Sequence, residues 1–246
     1  ASNTAVGANA LATNTTGTLN NAFGVNSLDA NTTGNTNVAM GYAALGSNTT
    51  ASANVAIGHD AMVANTTGAN NTAVGFQALD ANTTGTYNTA VGWSALSANT
   101  TANANTAVGE SALINNTTGA SNTAVGQSAL NANTTGTPNV AVGFEAMKAN
   151  TTGASNVAIG SSSLTSCTTA NDNVAVGTLA LNTCITGAGN VAVGDSALRH
   201  TTVSENTAIG KRAGTAVTTG HSNTLIGSLA GEAITSGDEN IMVGHN

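Results

Sequence analysis

Small apolar residues recur along the chain in short groups, and the groups repeat with a period of seventeen. The unit reads Asn-(Thr/Val)-Ala-(Val/Ile)-Gly-x-x-Ala-Leu-x-Ala-Asn-Thr-Thr-Gly-x-x, and we number its positions from the first Asn. That Asn stands at 3, 20, 37, 54, 71, 88, 105, 122, 139, 156, 173 and 190 and, after one rung that is shorter by a single residue, at 206, 223 and 240. Fourteen full rungs and a partial one therefore fill the chain.

Each rung predicts one short β-strand at positions 2–4, a second apolar piece at positions 8–9, and turns elsewhere. A unit of this length is too short for a helix–turn–helix repeat, which takes about 33 residues. One rung buries little by itself, so each strand must pair with its copies above and below. We therefore predict an all-β fold, a parallel β-solenoid or β-roll, forming a single array over 1–246. Regular rungs occupy 3–155, cysteine-bearing rungs 156–189 and variant rungs 190–246.

The alternation of strand side chains predicts which columns form the core. The always-apolar position 4 and the Leu/Met of position 9 are predicted to face inward, with position 2 on the same face as position 4. The Ala columns at positions 3 and 8 then form an outer strip; alternatively, Ala is simply small enough for a thin core. Gly at positions 5 and 15 indicates corners. The Asn at position 1 predicts a ladder of amide hydrogen bonds between rungs.

Cys167 and Cys184 stand one period apart, both at position 12. Stacking places their Cα atoms about 4.8 Å apart, within the range of a disulfide. We predict that they bond or at least touch, and a disulfide would indicate an oxidising compartment. Two free thiols left by copying of a rung are the alternative.

Asn-Thr-Thr fills positions 12–14 of nine consecutive rungs and admits three interpretations. The first is turn chemistry, because Asn tolerates left-handed backbone and Thr bonds local amides. The second is a sugar coat, either N-linked, since each Asn is formally an N-glycosylation acceptor, or on the Thr hydroxyls. The third is ice binding by a regular rank of Thr. The candidate acceptors are Asn14, Asn31, Asn48, Asn65, Asn82, Asn99, Asn116, Asn133 and Asn150. The Thr column is Thr16, Thr33, Thr50, Thr67, Thr84, Thr101, Thr118, Thr135 and Thr152.

Composition argues against most chemical functions. Charged residues make up 6% of the chain, aromatic residues 2%, and the net charge is −7 with four Lys plus Arg. A nucleic-acid surface needs more basic and aromatic groups. The acidic residues form no column, and the four His stand far apart, so we expect no metal site, no cofactor and no enzyme activity. No apolar run approaches a membrane span of about 20 residues.

The repeated Asn-(Thr/Val)-Ala-(Val/Ile)-Gly-x-x-Ala resembles the head repeats of trimeric autotransporter adhesins, and still more the repeats of phage-type tail fibres and related bacterial surface fibres. Asn206–Gly214 and Asn223–Gly231 carry the resemblance to the end of the chain. It implies a left-handed β-roll, often trimeric, used for display or attachment at a cell or virion surface. We expect a homotrimer or an end-to-end filament, or a segment of a longer protein, since the chain starts in phase without a signal peptide and stops inside a rung.

Two functional hypotheses follow. The first is a non-enzymatic extracellular structural fibre, adhesin or tail-fibre shaft, which glycans could decorate. The second is a solenoid that binds ice or carbohydrate through its Thr and Asn columns.

Overall fold

A computed structural model of the chain describes residues 2–245 and confirms an all-β parallel β-solenoid. Among these residues there are fifteen strands and no helix, and each strand covers positions 2–4 of its rung. The strands are β1 Thr4–Val6, β2 Asn21–Phe23, β3 Val38–Met40, β4 Val55–Ile57, β5 Thr72–Val74, β6 Thr89–Val91, β7 Thr106–Val108, β8 Thr123–Val125, β9 Val140–Val142, β10 Val157–Ile159, β11 Val174–Val176, β12 Val191–Val193, β13 Thr207–Ile209, β14 Thr224–Ile226 and β15 Ile241–Val243.

The chain divides into two compact units, one ending at Ser121 and the other beginning at Asn122. Strands β1–β7 belong to the first unit and β8–β15 to the second. Within each unit every strand pairs in parallel with its neighbours, and residues one period apart face each other, as Ala73 and Ala90 do. The shortened rung keeps this register, because β12 pairs Ala192 with Ala208. The same rung is therefore built on both sides of the division.

Backbone hydrogen bonds between rungs lie at both ends of each strand. Thr72 N donates to Asn88 O at 2.8 Å, and Gly92 N donates to Val74 O at 2.8 Å. The turn after position 12 adds a further acceptor column: the carbonyl of Thr49 accepts from the amides of Thr32 and Thr33, at 2.8 and 3.2 Å. The short strands therefore account for only part of the hydrogen bonding between rungs, because the turns are also hydrogen-bonded from rung to rung.

The core differs from the prediction in which face of the strand is inside. In the interior rungs the Ala columns at positions 3 and 8 are fully buried together with the Leu/Met column at position 9, as in Ala90, Ala95 and Leu96, whereas Ala5 in the first rung is exposed. Position 9 is confirmed as core, whereas position 4 is half-buried or exposed in every rung, so the predicted inner position 4 and outer Ala strip are wrong. The alternative, that Ala suits a thin core, is the one the structure shows. Val, Ile and Thr favour strands through their β-branching, so their presence does not by itself mark the buried face.

Left-handed backbone explains why neighbouring positions 8 and 9 are both buried. Positions 7 and 9 have positive φ in most rungs, as at Ser94 (49°) and Leu96 (56°). Such a segment is not extended, so the alternation of side chains does not hold there. Left-handed Leu is locally costly, and burial of the whole side chain offsets that cost.

The variant rungs exchange large and small core residues between columns. Gly214 and Gly231 replace Leu at position 9, while Leu225 replaces Ala at position 3 and is fully buried. A Cβ added to Gly214 or to Gly231 would lie 2.7 Å from a methyl carbon of Leu225. Leu225 therefore fills the space that the two glycines leave, and the core continues through a compensating substitution.

Candidate functional site

The first Asn column forms the predicted ladder, with the backbone as the main partner. Asn105 N donates to Asn88 Oδ1 at 3.0 Å, and Asn88 Nδ2 donates to the carbonyl of Ala102 in its own rung at 2.9 Å. The side chain thus bonds the next rung through its oxygen and closes its own rung through its nitrogen. Direct amide-to-amide bonds occur as well, as from Asn37 Nδ2 to Asn20 Oδ1 at 3.1 Å.

The Asn of Asn-Thr-Thr forms a second buried ladder, which the sequence interpretation missed. Asn82 Nδ2 donates to Asn65 Oδ1 at 2.8 Å and to Gly85 O at 3.1 Å. The signal in the sequence was that this Asn recurs with the same period as the Asn of position 1, for which a ladder was predicted. Eight of the nine predicted glycosylation acceptors are fully buried in it: Asn31, Asn48, Asn65, Asn82, Asn99, Asn116, Asn133 and Asn150.

This burial argues against N-glycosylation of those eight residues in the folded chain, and the modification itself stays a prediction. A glycan replaces a hydrogen of Nδ2, the atom that each ladder amide uses to donate, and the column has no exposed face to admit a sugar. Asn14 is half-buried, and its Nδ2 donates to Gly17 O at 3.0 Å.

The two Thr columns have different surroundings. The first Thr of each pair bonds the next rung, as when Thr66 Oγ1 donates to Thr83 O at 3.0 Å. The second Thr, the predicted column from Thr16 to Thr152, is exposed in every rung. No hydrogen bond from a hydroxyl of this second column is found in the part of the chain that the structure describes. One face therefore carries a rank of Thr hydroxyls directed to solvent.

Cys167 and Cys184 continue the second Asn column as free, fully buried thiols. The structure shows no disulfide between them, and each sulfur takes the place of an amide nitrogen and faces the carbonyl three residues on; their pairing under oxidising conditions stays a prediction. Cys184 Sγ lies 3.2 Å from Gly187 O, and Cys167 Sγ lies 3.9 Å from Ala170 O. Removal from water raises the pKa of Cys167 to about 11. Removal from water and, second, the neighbouring Cys167 raise the pKa of Cys184 to about 12. Both groups are therefore protonated at neutral pH.

The amide ladder ends where the thiols begin. Asn150 Nδ2 donates to Asn133 Oδ1 at 2.8 Å, but its own Oδ1 is buried without a hydrogen-bond partner. Thr201 follows the thiols in the same column and also has a buried, unpartnered hydroxyl. Val217 comes next and is fully buried, so this column passes from amides through thiols to an apolar side chain.

An uncharged surface strip lies on the other side of the strands from the core. We define the outer face as positions 2 and 4 of the rungs. No charged residue occupies either position in any rung, and position 4 is always apolar. Its larger members are well exposed: Phe23 41%, Met40 44% and Ile159 40%. Apolar side chains this exposed and gathered on one face are typical of an interface.

Four aromatic rings stack beside the outer face in the first unit. Tyr42, His59, Phe76 and Trp93 occupy position 6 of successive rungs, and we call them the aromatic ladder. Their ring centroids are 4.9, 5.5 and 6.4 Å apart in chain order, and the ring planes are inclined to each other by 25°, 29° and 6°. His59 Nδ1 also lies 3.1 Å from the carboxylate of Asp60.

The described residues, 2–245, contain no group of three or more His, Cys, Asp or Glu side chains placed to hold a metal ion. Over the same range no helix is long and apolar enough to cross a membrane. A scan of protein-family models, a search of curated proteins and a search of solved structures each returned no match to this chain.

Proposed function

We propose that this chain is a non-enzymatic structural element of an extracellular fibre or attachment shaft, and that it associates with further copies of itself through the outer face. The observation that supports this most is the outer face, which is apolar at position 4 in every rung and uncharged throughout. The resemblance of the repeat to adhesin heads and tail fibres supports the location at a cell or virion surface.

A second copy is the partner that fits this face best, because it carries the same axial period. Ridges of Val and Ile that recur once per rung interdigitate over many rungs only with a surface of the same spacing. Charge also favours a second copy at this face: each chain carries a net charge of −7, so two copies approach with least repulsion where neither has a charged residue.

The area of the strip limits how tightly two copies can associate. Positions 2–4 make the strip about 10 Å wide, and each rung adds about 4.8 Å, which gives roughly 50 Å² per rung. A standard interface buries about 800 Å² per partner. The seven or eight rungs of one unit supply about half of that area, so a contact through the outer face of one unit is a small interface, of the size typical of weak association.

Sedimentation velocity of matched variants tests the proposal. Val74→Glu/Val91→Glu places two carboxylates on the outer face, one rung apart. Thr67→Glu/Thr84→Glu places two carboxylates at the same spacing in the exposed Thr column and serves as the control. We expect the control to associate like the wild type and the outer-face variant to sediment as a monomer with an unchanged circular dichroism spectrum. Equal association of both variants would overturn the proposal.

A second candidate, binding of ice or carbohydrate, is favoured by the exposed Thr column, whose hydroxyls are free of intramolecular bonds in the described residues. Thermal hysteresis of the wild type compared with Thr67→Tyr/Thr84→Tyr tests the ice hypothesis. Activity that is lost in the variant supports it, and absence of activity in the wild type removes it. Binding of insoluble polysaccharides by the same two proteins tests the carbohydrate hypothesis in the same way.

A further inference from the structure

The aromatic ladder is a local feature in an otherwise repetitive surface. Its four rings stand in consecutive rungs and are bracketed at position 6 by Val25 below and Glu110 above. The exposed fractions are 49% for Tyr42, 43% for Phe76 and 51% for Trp93. Because the rings stack on one another along the axis, their edges rather than their faces point to solvent, and together they form a ridge.

A periodic outer face by itself does not define how two copies align. From β4 to β14 position 4 is Val or Ile and position 2 is Thr or Val, so moving one copy by one rung there changes little in packing or charge. Strand pairings with uniform faces are prone to such slippage. Copies that meet only through positions 2 and 4 would therefore associate in several axial registers of similar stability.

The ladder removes this degeneracy wherever its ridge enters the contact. When one copy shifts by one rung, the ring at one end of the ridge loses its contact with the opposing copy and leaves a gap there. At the other end it brings the charged side chain of Glu110 into the position of a ring, and taking a carboxylate out of water costs free energy even where it has a partner. The first unit of a second copy offers little to offset this cost, since residues 1–121 contain four acidic side chains and no Lys or Arg, and His59 already lies 3.1 Å from the Asp60 carboxylate.

We infer that the aromatic ladder fixes the axial register in which two copies of this chain associate through the outer face. The inference rests on the proposed self-association and adds to it a specificity element. The occupant is a second copy of the chain, chosen on the same grounds of matching period and absence of charge. In the second unit Phe144 stands at position 6 without a ring neighbour among the described residues, so it forms no comparable ridge.

Distances between copies measured by pulsed electron spin resonance test the inference. One nitroxide is attached at Thr67→Cys, on the exposed Thr column, in a Cys167→Ala/Cys184→Ala background. The ladder variant carries Tyr42→Val, His59→Val, Phe76→Val and Trp93→Val; Val25 shows that the position accepts this side chain. Phe144→Val is the matched control, because it removes an equally exposed aromatic residue at position 6.

We expect one narrow intermolecular distance for the parent and for the Phe144 control. The ladder variant is expected to associate but to show several distances that reflect shifts of about 4.8 Å per rung. A single unchanged distance in the ladder variant, several distances in the parent, or a monomeric ladder variant would each overturn the inference. A parent that gives no intermolecular distance at any concentration would overturn the proposed self-association itself, which is a different result.

Discussion

The side-chain amides of Asn88 and Asn99 donate to the same backbone carbonyl, that of Ala102, at 2.9 and 3.1 Å. Asn88 belongs to the first Asn column and Asn99 to the second, and all three residues lie in one rung. The shared acceptor closes the turn of Asn-Thr-Thr onto the start of the strand in the same rung. The two columns therefore act together: each amide joins neighbouring rungs, and the pair fixes the cross-section of its own rung.

An interior break in the second Asn column is expected to cost more than a break at its end. Asn99→Ala removes two bonds from Nδ2 and leaves Asn82 Oδ1 buried without a donor, and Asn116 Nδ2 loses its 3.3 Å partner. Asn150→Ala also removes two bonds, one of them to Asn133 Oδ1, but no following amide loses a partner, because the oxygen of Asn150 is already unpartnered. We expect Asn99→Ala to lower the free energy of unfolding, measured in urea, by about 3 kcal/mol, and Asn150→Ala to lower it by about 1–2 kcal/mol. Equal losses would contradict the ladder's directional arrangement.

Alanine should be tolerated at one glycine column and rejected at the other. Gly75 has φ of +140°, and an added Cβ would meet the carbonyl oxygen of Gly92. At Gly85 an added Cβ also meets neighbouring oxygens, yet Ala102 occupies the same position of the following rung. We expect Gly75→Ala to cost about 3 kcal/mol or to prevent folding, and Gly85→Ala to cost about 1 kcal/mol or less. Thermal unfolding of the two variants decides this, and a stable Gly75→Ala protein would contradict the strained corner.

Ring stacking should stabilise the first unit measurably. Phe76 stacks on His59 and Trp93, whereas Phe144 is equally exposed at the same position and lacks a ring neighbour among the described residues. Each aromatic pair contributes about 0.5–1.5 kcal/mol beyond its buried area, so Phe76→Ala is expected to lower the free energy of unfolding by about 1–3 kcal/mol more than Phe144→Ala. Equal losses of unfolding free energy for the two variants in urea titrations would show that ring stacking adds no measurable stability.

The exchange of core residues in the variant rungs predicts a rescue. Leu225→Ala empties a fully buried site and should cost about 3 kcal/mol. Gly231→Leu alone should also destabilise, because its Cβ would lie 2.7 Å from Leu225 Cδ2. The double variant restores the residues of a regular rung and leaves only the space beside Gly214 unfilled, and Leu198 shows that Leu accepts left-handed backbone in this column. Urea unfolding should place the double variant above both single variants, and strictly additive losses would contradict the compensation.

The buried thiols predict a loss of stability at high pH. Burial raises the pKa of Cys167 and Cys184 from 9.0 to about 11 and about 12. Below pH 9 both states hold the protons, so this contribution is fully present; as pH rises towards 12, the unfolded chain ionises first and stability falls. Cys167→Ala/Cys184→Ala should lack this decline in its pH profile of unfolding. If stability falls with pH in the same way in the variant and the wild type, the buried thiols are not the cause of the decline.

The sequence predicted the architecture more fully than it predicted the surfaces. The seventeen-residue period predicted the stacking of strands in register, the Leu column and the first Asn ladder, because each follows from repetition alone. The buried face of the strand could not be deduced in this way, since Ala inside and Val outside reverse the usual order of hydrophobicity. Left-handed Leu at position 9 carries no turn signal, and the burial of Asn at position 12 was obscured by its resemblance to a glycosylation acceptor. The aromatic ladder was detectable, since its four residues stand one period apart.

Sedimentation equilibrium of the wild-type chain, from low micromolar to about 100 μM, tests the central claim most directly. The account predicts a mass that rises with concentration to a whole-number multiple of 23.7 kDa. A mass that remains at 23.7 kDa across the range would contradict self-association through the outer face.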